Sequence, residues 1–358
     1  MIPKTEQIGL SNNYITKKNI MLQFLKKVKT ILFIISLFPL LFACNNSSNN
    51  SENKDMDDNQ KHEIVEVPDF KSDSAYLFIQ EQLKFGPRVP ESKAHQQCAE
   101  YLVGKLKGYS DTVYEQVGSV IPYTGKTMRI KNIIASFNPT NQQRIIICSH
   151  WDSRHVADME KDEAKRNKPI PGANDGASGV GVIMEIARNL KLKTSNIGVD
   201  LILFDAEDYG QPDFLNLPEQ DDTWCLGAQY WAKNPHLPNY TAYYGILLDM
   251  VGAPNATFYK EKFSMNYAPN IVEKVWQTAY NEGFSGYFIN EEANAITDDH
   301  FYVNNIAKIP CIDIIQIDKT TPHNFGKYWH TQDDNINAID KNTLKAVGQT
   351  LITLIYNE

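Results

Sequence analysis

The constraint that governs this chain is a series of short apolar runs, each ending in an acidic residue or a histidine. Val199-Asp-Leu-Ile-Leu-Phe204 is rich in leucine and β-branched residues and stops at Asp205-Ala-Glu207-Asp208. Ile145-Ile-Ile-Cys148 runs into Ser149-His150-Trp-Asp152-Ser-Arg154, and Ile246-Leu-Leu248 ends in Asp249. Short continuous apolar runs of this kind read as strands buried on both faces, which happens when helices cover a sheet on its two sides.

Segments with helical spacing fall between the runs: Ser72 to Leu83, Ser92 to Leu106, Gly176 to Leu190, Leu226 to Ala232, Ala268 to Glu282 and Lys341 to Tyr356. Strands are expected over Ile130 to Phe137, Arg144 to Ser149, Val199 to Phe204, Tyr243 to Leu248 and Ile309 to Ile315. The alternation predicts an α/β fold: a single domain with a central mixed, mostly parallel sheet flanked by helices on both faces. In such open sheets, ligand and catalytic groups collect outside the carboxyl ends of the strands, where the acids stand here.

The N-terminus has a different character. Lys26, Lys27 and Lys29 precede an apolar run from Ile31 to Ala43, followed by Cys44. The run is shorter than the ~20 apolar residues that span a bilayer, so it reads as the core of a signal peptide. Leu41-Phe42-Ala43-Cys44 resembles a bacterial lipobox, which makes residues 1–43 a lipoprotein signal peptide and Cys44 the lipidation site. The polar stretch over residues 44–65 buries too little apolar surface to order itself and reads as a tether. Residues 66–358 are then the catalytic domain, and Asn45 after the modified cysteine favours the outer membrane, facing the periplasm. Removing the six Lys and one Glu of residues 1–43 takes the formal charge from −8 to −13. So acidic a chain is a poor partner for nucleic acid, which rewards basic faces. Cys98, Cys148, Cys225 and Cys311 permit disulfides in an exported domain without demanding them, and none forms the Cys-x-x-Cys pair of a thiolate zinc site.

Further acids and histidines follow in order. Pro171-Gly-Ala-Asn174-Asp175-Gly-Ala-Ser-Gly179 places Asp175 in a glycine-rich turn that opens a helix; Thr297-Asp298-Asp299-His300 and Trp329-His330-Thr331-Gln-Asp333-Asp334 come later. Adjacent carboxylates such as Glu207 and Asp208 repel unless a cation or a shared proton intervenes. Mixed His and carboxylate ligands without thiolates describe a catalytic zinc site, with manganese and cobalt open on ligand type.

Together with Gly86-Pro-Arg-Val-Pro90, these motifs resemble, in order, the zinc aminopeptidase-like proteins, from about Asp69 to the C-terminus. Within that group Trp329 before His330, the Asp333-Asp334 pair, Leu248-Asp249-Met-Val-Gly-Ala-Pro254 and Asp298-Asp299-His300 resemble the glutaminyl-peptide cyclotransferases of animals and bacteria. The resemblance implies one zinc on Asp175, Asp208 and His330, with Glu207 as proton shuttle. It implies Asp249 and Asp298 as its catalytic partners and Trp329 and Trp224 as pocket walls. Asp208 departs from the Glu of the animal enzymes, and Val180 stands where their active-site cystine would need a second Cys beside Cys148. The implied substrates are peptides and exported proteins with an N-terminal Gln. The competing reading is a two-zinc aminopeptidase, with His150 and Asp249 on a second metal, Asp175 bridging, and Asp152 either a ligand or a support behind one. A third, a binding ectodomain without chemistry, is disfavoured because Glu207 and every ligand candidate are present.

Overall fold

The computed structural model describes residues 66–358, apart from 216, 217, 219 and 221. Residues 1–65, including the expected signal peptide, the tether and Cys44, lie outside the described residues. No helix among the described residues is long and apolar enough to cross a membrane.

The apolar runs form strands where the pattern places them: β2 (Met128–Phe137), β3 (Arg144–His150), β4 (Gly198–Phe204), β5 (Gly245–Asp249) and β8 (Cys311–Ile315). With β1 (Thr112–Val120) they make a six-stranded sheet in the order β1-β2-β4-β3-β5-β8. The β3–β4, β3–β5 and β5–β8 pairings are parallel, and β1–β2 and β2–β4 antiparallel. A separate two-stranded ribbon joins β6 (Phe258–Lys260) to β7 (Phe288–Glu292). β1 and the ribbon are absent from the expected strands. β1 is an edge strand with one buried residue, Gly118, so it carries no apolar run to detect.

The pleat sends alternate residues to two apolar layers. Ile133, Ile145, Ile147, Leu201, Leu203, Ile246, Leu248, Ile312 and Ile314 face the larger core. It is covered by α1 (Ser72–Leu83), α2 (Lys93–Tyr109), α3 (Ala177–Leu192), α6 (Pro269–Asn281) and α8 (Lys341–Tyr356). Ile134, Ile146, Cys148, Ile202, Phe204, Leu247 and Cys311 face the other side, where Ala228 and Trp231 of α4 (Leu226–Lys233) cover them. Two short helices, α5 (Lys262–Tyr267) and α7 (Asp299–Tyr302), complete the chain. Ser92 becomes the N-cap of α2, accepting from the His95 amide at 3.1 Å. α3 is buried nearly all round, which is why apolar residues fill most of its faces, with Glu185 and Asn189 buried among them.

One property of the strand order places the site. From β3 the chain crosses to β4 on one side, and β5 then lies on the other side of β3. The carboxyl ends of β3, β4 and β5 therefore flank a crevice at the point where the order reverses.

Candidate functional site

Each of those strands delivers its acids or histidine to the crevice. His150 is the last residue of β3, Asp249 the last of β5, and Asp205 to Asp208 follow β4 directly. Ala206, Met250 and His330 hold left-handed φ values of 53°, 49° and 53°, which non-glycine residues avoid unless their surroundings over-determine them. Met250 and His330 line the crevice and Ala206 directly precedes Glu207, so backbone strain is stored where these side chains are presented.

Asp175 arrives from the turn before α3. Gly176 has φ 93°, and a Cβ there would lie 2.7 Å from the Asp152 carbonyl oxygen and 2.9 Å from His150 Cε1. Only glycine lets that turn sit against the end of β3. The turn is held from two sides. Asp334 accepts from the amides of Asn174 (2.8 Å) and Asp175 (3.1 Å). Arg88, fully buried, donates to the carbonyls of Trp151 (3.0 Å), Pro171 (2.7 Å) and Gly172 (2.6 Å). The Gly86-Pro-Arg-Val-Pro90 and Asp333-Asp334 motifs are thus braces for Asp175.

Donor atoms of Asp175, Asp208 and His330 lie within 4.8 Å of one another, as do those of His150, Asp175 and Asp249. His330 Nε2 is 3.3 Å from Asp208 Oδ1 and 3.6 Å from Asp175 Oδ2. His150 Nε2 is 3.1 Å from Asp175 Oδ1 and 3.2 Å from Asp249 Oδ1. Asp208 Oδ2 is buried without a protein partner. One imidazole, two carboxylates and an orphaned carboxylate oxygen fit a catalytic zinc ion, whose remaining position goes to water or substrate. Burial pushes Glu207 well above the usual carboxylate range; His150 opposes this, and Asp298 and Asp208 add to it. Burial likewise raises Asp249 to about 6, against the pull of His150, and Asp298 to about 7, with Asp249 reinforcing. So many acids in one crevice demand protons or a cation among them.

Of the two roles open to Asp152, its geometry is that of a support behind a ligand. Its carboxylate lies 3.5 Å from His150 Nδ1 and accepts from the amides of Glu207 (3.0 Å) and Asp208 (3.2 Å), so it fixes the bend after β4 from behind and belongs to none of the converging sets. Asp205 is likewise turned away, bonded to His95 Nε2 at 2.7 Å.

Glu207, Asp208, Asp175, Asp249, Asp298 and His330 line a cavity of about 880 Å³ whose aromatic walls include Trp224 and Trp329. The Trp329 ring stacks on His330 at 3.8 Å, and Trp224 lies parallel to it at 6.0 Å. All eight residues assigned by resemblance thus meet in one place. Three neighbours went without a role: Arg154, Asp158 and Cys225. Arg154 stood in the His150-to-Arg154 run; Asp158 opened a long polar loop beside it; Cys225 adjoins Trp224. All four thiols, Cys98, Cys148, Cys225 and Cys311, are buried and unpaired.

The sequence signature described as peptidase family M28 matches residues 132–355. The chain belongs to peptidase family M28. A solved structure of Tannerella forsythia glutaminyl cyclase is 52% identical, with TM-score 0.80, covering 81% of this chain and 100% of that one. A zinc-dependent exopeptidase from Parabacteroides distasonis is 51% identical, with TM-score 0.81, covering 82% of this chain and 100% of its own. The Drosophila melanogaster glutaminyl-peptide cyclotransferase is 26% identical over 280 residues, 71% of this chain and 72% of that protein. Membership of this family, with a zinc-dependent neighbour and His-carboxylate sets in the crevice, supports zinc as the metal.

Proposed function

We propose that the chain is a glutaminyl-peptide cyclotransferase, converting the N-terminal Gln of peptides and proteins to pyroglutamate with release of ammonia. The observation that carries the reading is the convergence of Glu207, Asp249 and Asp298 beside Asp175, Asp208 and His330 in a cavity walled by Trp224 and Trp329. The 52% identity to the Tannerella cyclase, over that whole chain, supports it.

In this reaction the α-amine of Gln attacks its own γ-carboxamide carbon, closing a five-membered ring as the C–N bond to the amide nitrogen breaks. Asp175, Asp208 and His330 would hold one zinc ion, which supplies Lewis acidity toward the γ-carbonyl. Glu207 takes a proton from the attacking amine and passes it to the departing nitrogen, a transfer worth ~10²–10⁴-fold when the group is positioned. Asp249 and Asp298 accept hydrogen bonds from the substrate nitrogens. The indoles of Trp224 and Trp329 confine a folded Gln side chain and exclude water; because both reacting groups belong to one residue, confinement is the main demand on the pocket.

A second reading, a two-zinc aminopeptidase, is favoured by the convergence of His150, Asp175 and Asp249. Mass spectrometry of a Gln-initiated peptide, with metal analysis of the same preparation, separates the two. Loss of ammonia with one zinc per chain, abolished in Glu207→Gln, is the expected result. A peptide shortened by one residue, with two metals, would replace the cyclase reading with the peptidase one.

The location follows from sequence alone. Lipid attachment at Cys44 would tether the domain to the outer membrane, facing the periplasm, where it meets exported proteins with a new N-terminal Gln. Membrane fractionation of wild type and Cys44→Ser tests this; a variant that stays membrane-bound overturns it.

A further inference from the structure

Two buried charges that no ligand set contains touch both ends of the metal site. Arg154 donates from Nε to Asp158 Oδ1 at 2.8 Å and from Nη2 to Asp158 Oδ2. The same guanidinium donates from Nη1 to the Asp208 carbonyl at 3.1 Å and lies 3.4 Å from Asp208 Oδ1. Asp158 Oδ1 in turn lies 3.1 Å from His330 Nδ1, in ion-pair range though off the line of the ring N–H, on the far side of the ring from the nitrogen that faces Asp175 and Asp208. The Met159 amide donates to the His330 carbonyl at 3.2 Å, so the loop grips this residue by both ring and backbone. Glu160 Oε2 accepts from the Gln332 amide at 3.1 Å, extending the grip beyond it. Trp224 closes the arrangement, its ring 4.4 Å from the Arg154 guanidinium and parallel to the His330 imidazole.

An isolated buried ion pair is poor evidence of stabilisation, because desolvation offsets most of the attraction. The side chains of Arg154 and Asp158 are 1% and 4% exposed, so the pair bears that cost in full. What it gains is geometric: a carboxylate on the outer nitrogen of a ligating histidine fixes its tautomer and orientation.

We propose that Arg154 and Asp158 act as one positioning clamp for the metal site, Asp158 aiming the His330 imidazole and Arg154 holding Asp208 against it. The inference rests on Asp208 and His330 being metal ligands, not on which reaction the ion serves.

The test is zinc affinity of the purified full-length protein, measured by competition with a chelating dye, with thermal unfolding alongside. Asp158→Ala is expected to weaken zinc binding by ~10–100-fold, the usual effect of removing a partner behind a ligand. Asp158→Asn, which can accept from the imidazole but cannot neutralise Arg154, is expected to fall between. A cycle with Arg154→Gln is expected to be non-additive, as for residues in one network. Asp162→Ala is the control: it removes the cap on the Ala164 amide in the same loop and touches no ligand. Unchanged affinity in folded Asp158→Ala, or an equal loss in Asp162→Ala, overturns the clamp. If Arg154→Gln does not fold, the two Asp158 variants decide. A wild-type protein that takes up no zinc overturns the ligand assignment itself, a result distinct from failure of the clamp.

Discussion

Cys225 holds Glu207 at two points. Its amide donates to the Glu207 carbonyl at 2.9 Å, and its thiol Sγ lies 3.2 Å from Glu207 Oε1. Burial, with the charge of Glu207 adding to it, pushes the thiol well above its ordinary range, so the sulfur is a donor and not a thiolate. The residue sits in a left-handed conformation, φ 55°, just before α4. A side chain there carries a strain of roughly 1–3 kcal/mol, maintained by the contacts around it.

Removing the thiol frees one oxygen of the proton carrier without emptying the pocket. Cys225→Ala is expected to lower kcat with KM little changed. A net hydrogen bond of about 1 kcal/mol sets the scale, and by transition-state arithmetic that is ~5-fold in rate. Cys225→Ser keeps a donor and is expected to retain most of the rate. Steady-state kinetics on both variants check this, and equal losses in the two would show that sulfur volume, not donation, matters.

The sheet was readable because β3, β4, β5 and β8 are buried on both faces, so burial itself wrote the apolar runs. β1 was not, since its side chains are mostly only half-buried and only its pairing with β2 makes it a strand. The same contrast holds in the site. Glu207, Asp208 and Asp249 follow apolar runs, and a parallel sheet brings all such ends to one edge. Asp158 meets His330 only because the chain folds back across more than a hundred and fifty residues, which no local pattern records. Asp152 shared the strand-end signature with His150, yet its carboxylate turned toward the Glu207 and Asp208 amides.

Metal removal is expected to destabilise the protein as well as silence it. Asp175, Asp208 and Asp249 face one another in a buried crevice, and a cation relieves their repulsion. A ligand at a thousand times its Kd adds about 4 kcal/mol to stability. Chelation is therefore expected to lower Tm, zinc to restore it, and Asp208→Ala to have a low Tm that zinc does not raise. Differential scanning fluorimetry reads all three, and a Tm indifferent to chelator would contradict the ligand assignment.

Asp334 braces the metal-site turn without lining the cavity. Asp334→Ala strips the partners from two buried amides, those of Asn174 and Asp175. Each unsatisfied group costs about 1–3 kcal/mol, so a total loss of roughly 2–6 kcal/mol in chemical denaturation is expected, together with weaker zinc binding. Asp333→Ala, at an exposed position, is the matched control and is expected to be near neutral.

A pH effect on stability is expected far from the metal. His236 Nδ1 accepts from Trp231 Nε1 at 3.2 Å, and Nε2 is buried without a partner. Burial pushes the imidazole down to about 4 from 6.5, Asp200 opposing and Arg144 reinforcing. Below pH 6.5 the unfolded chain binds a proton that the folded chain refuses, so the stability tied to this neutral ring is lost as pH falls. The loss runs from about pH 6.5 to about pH 4 and levels off below, where both states are protonated. Replacing the ring by one that cannot titrate removes this component: unfolding free energy of His236→Phe is expected to vary less across that window than that of wild type. Parallel curves for the two proteins between those limits would mean that His236 protonates in the folded state as readily as in the unfolded one.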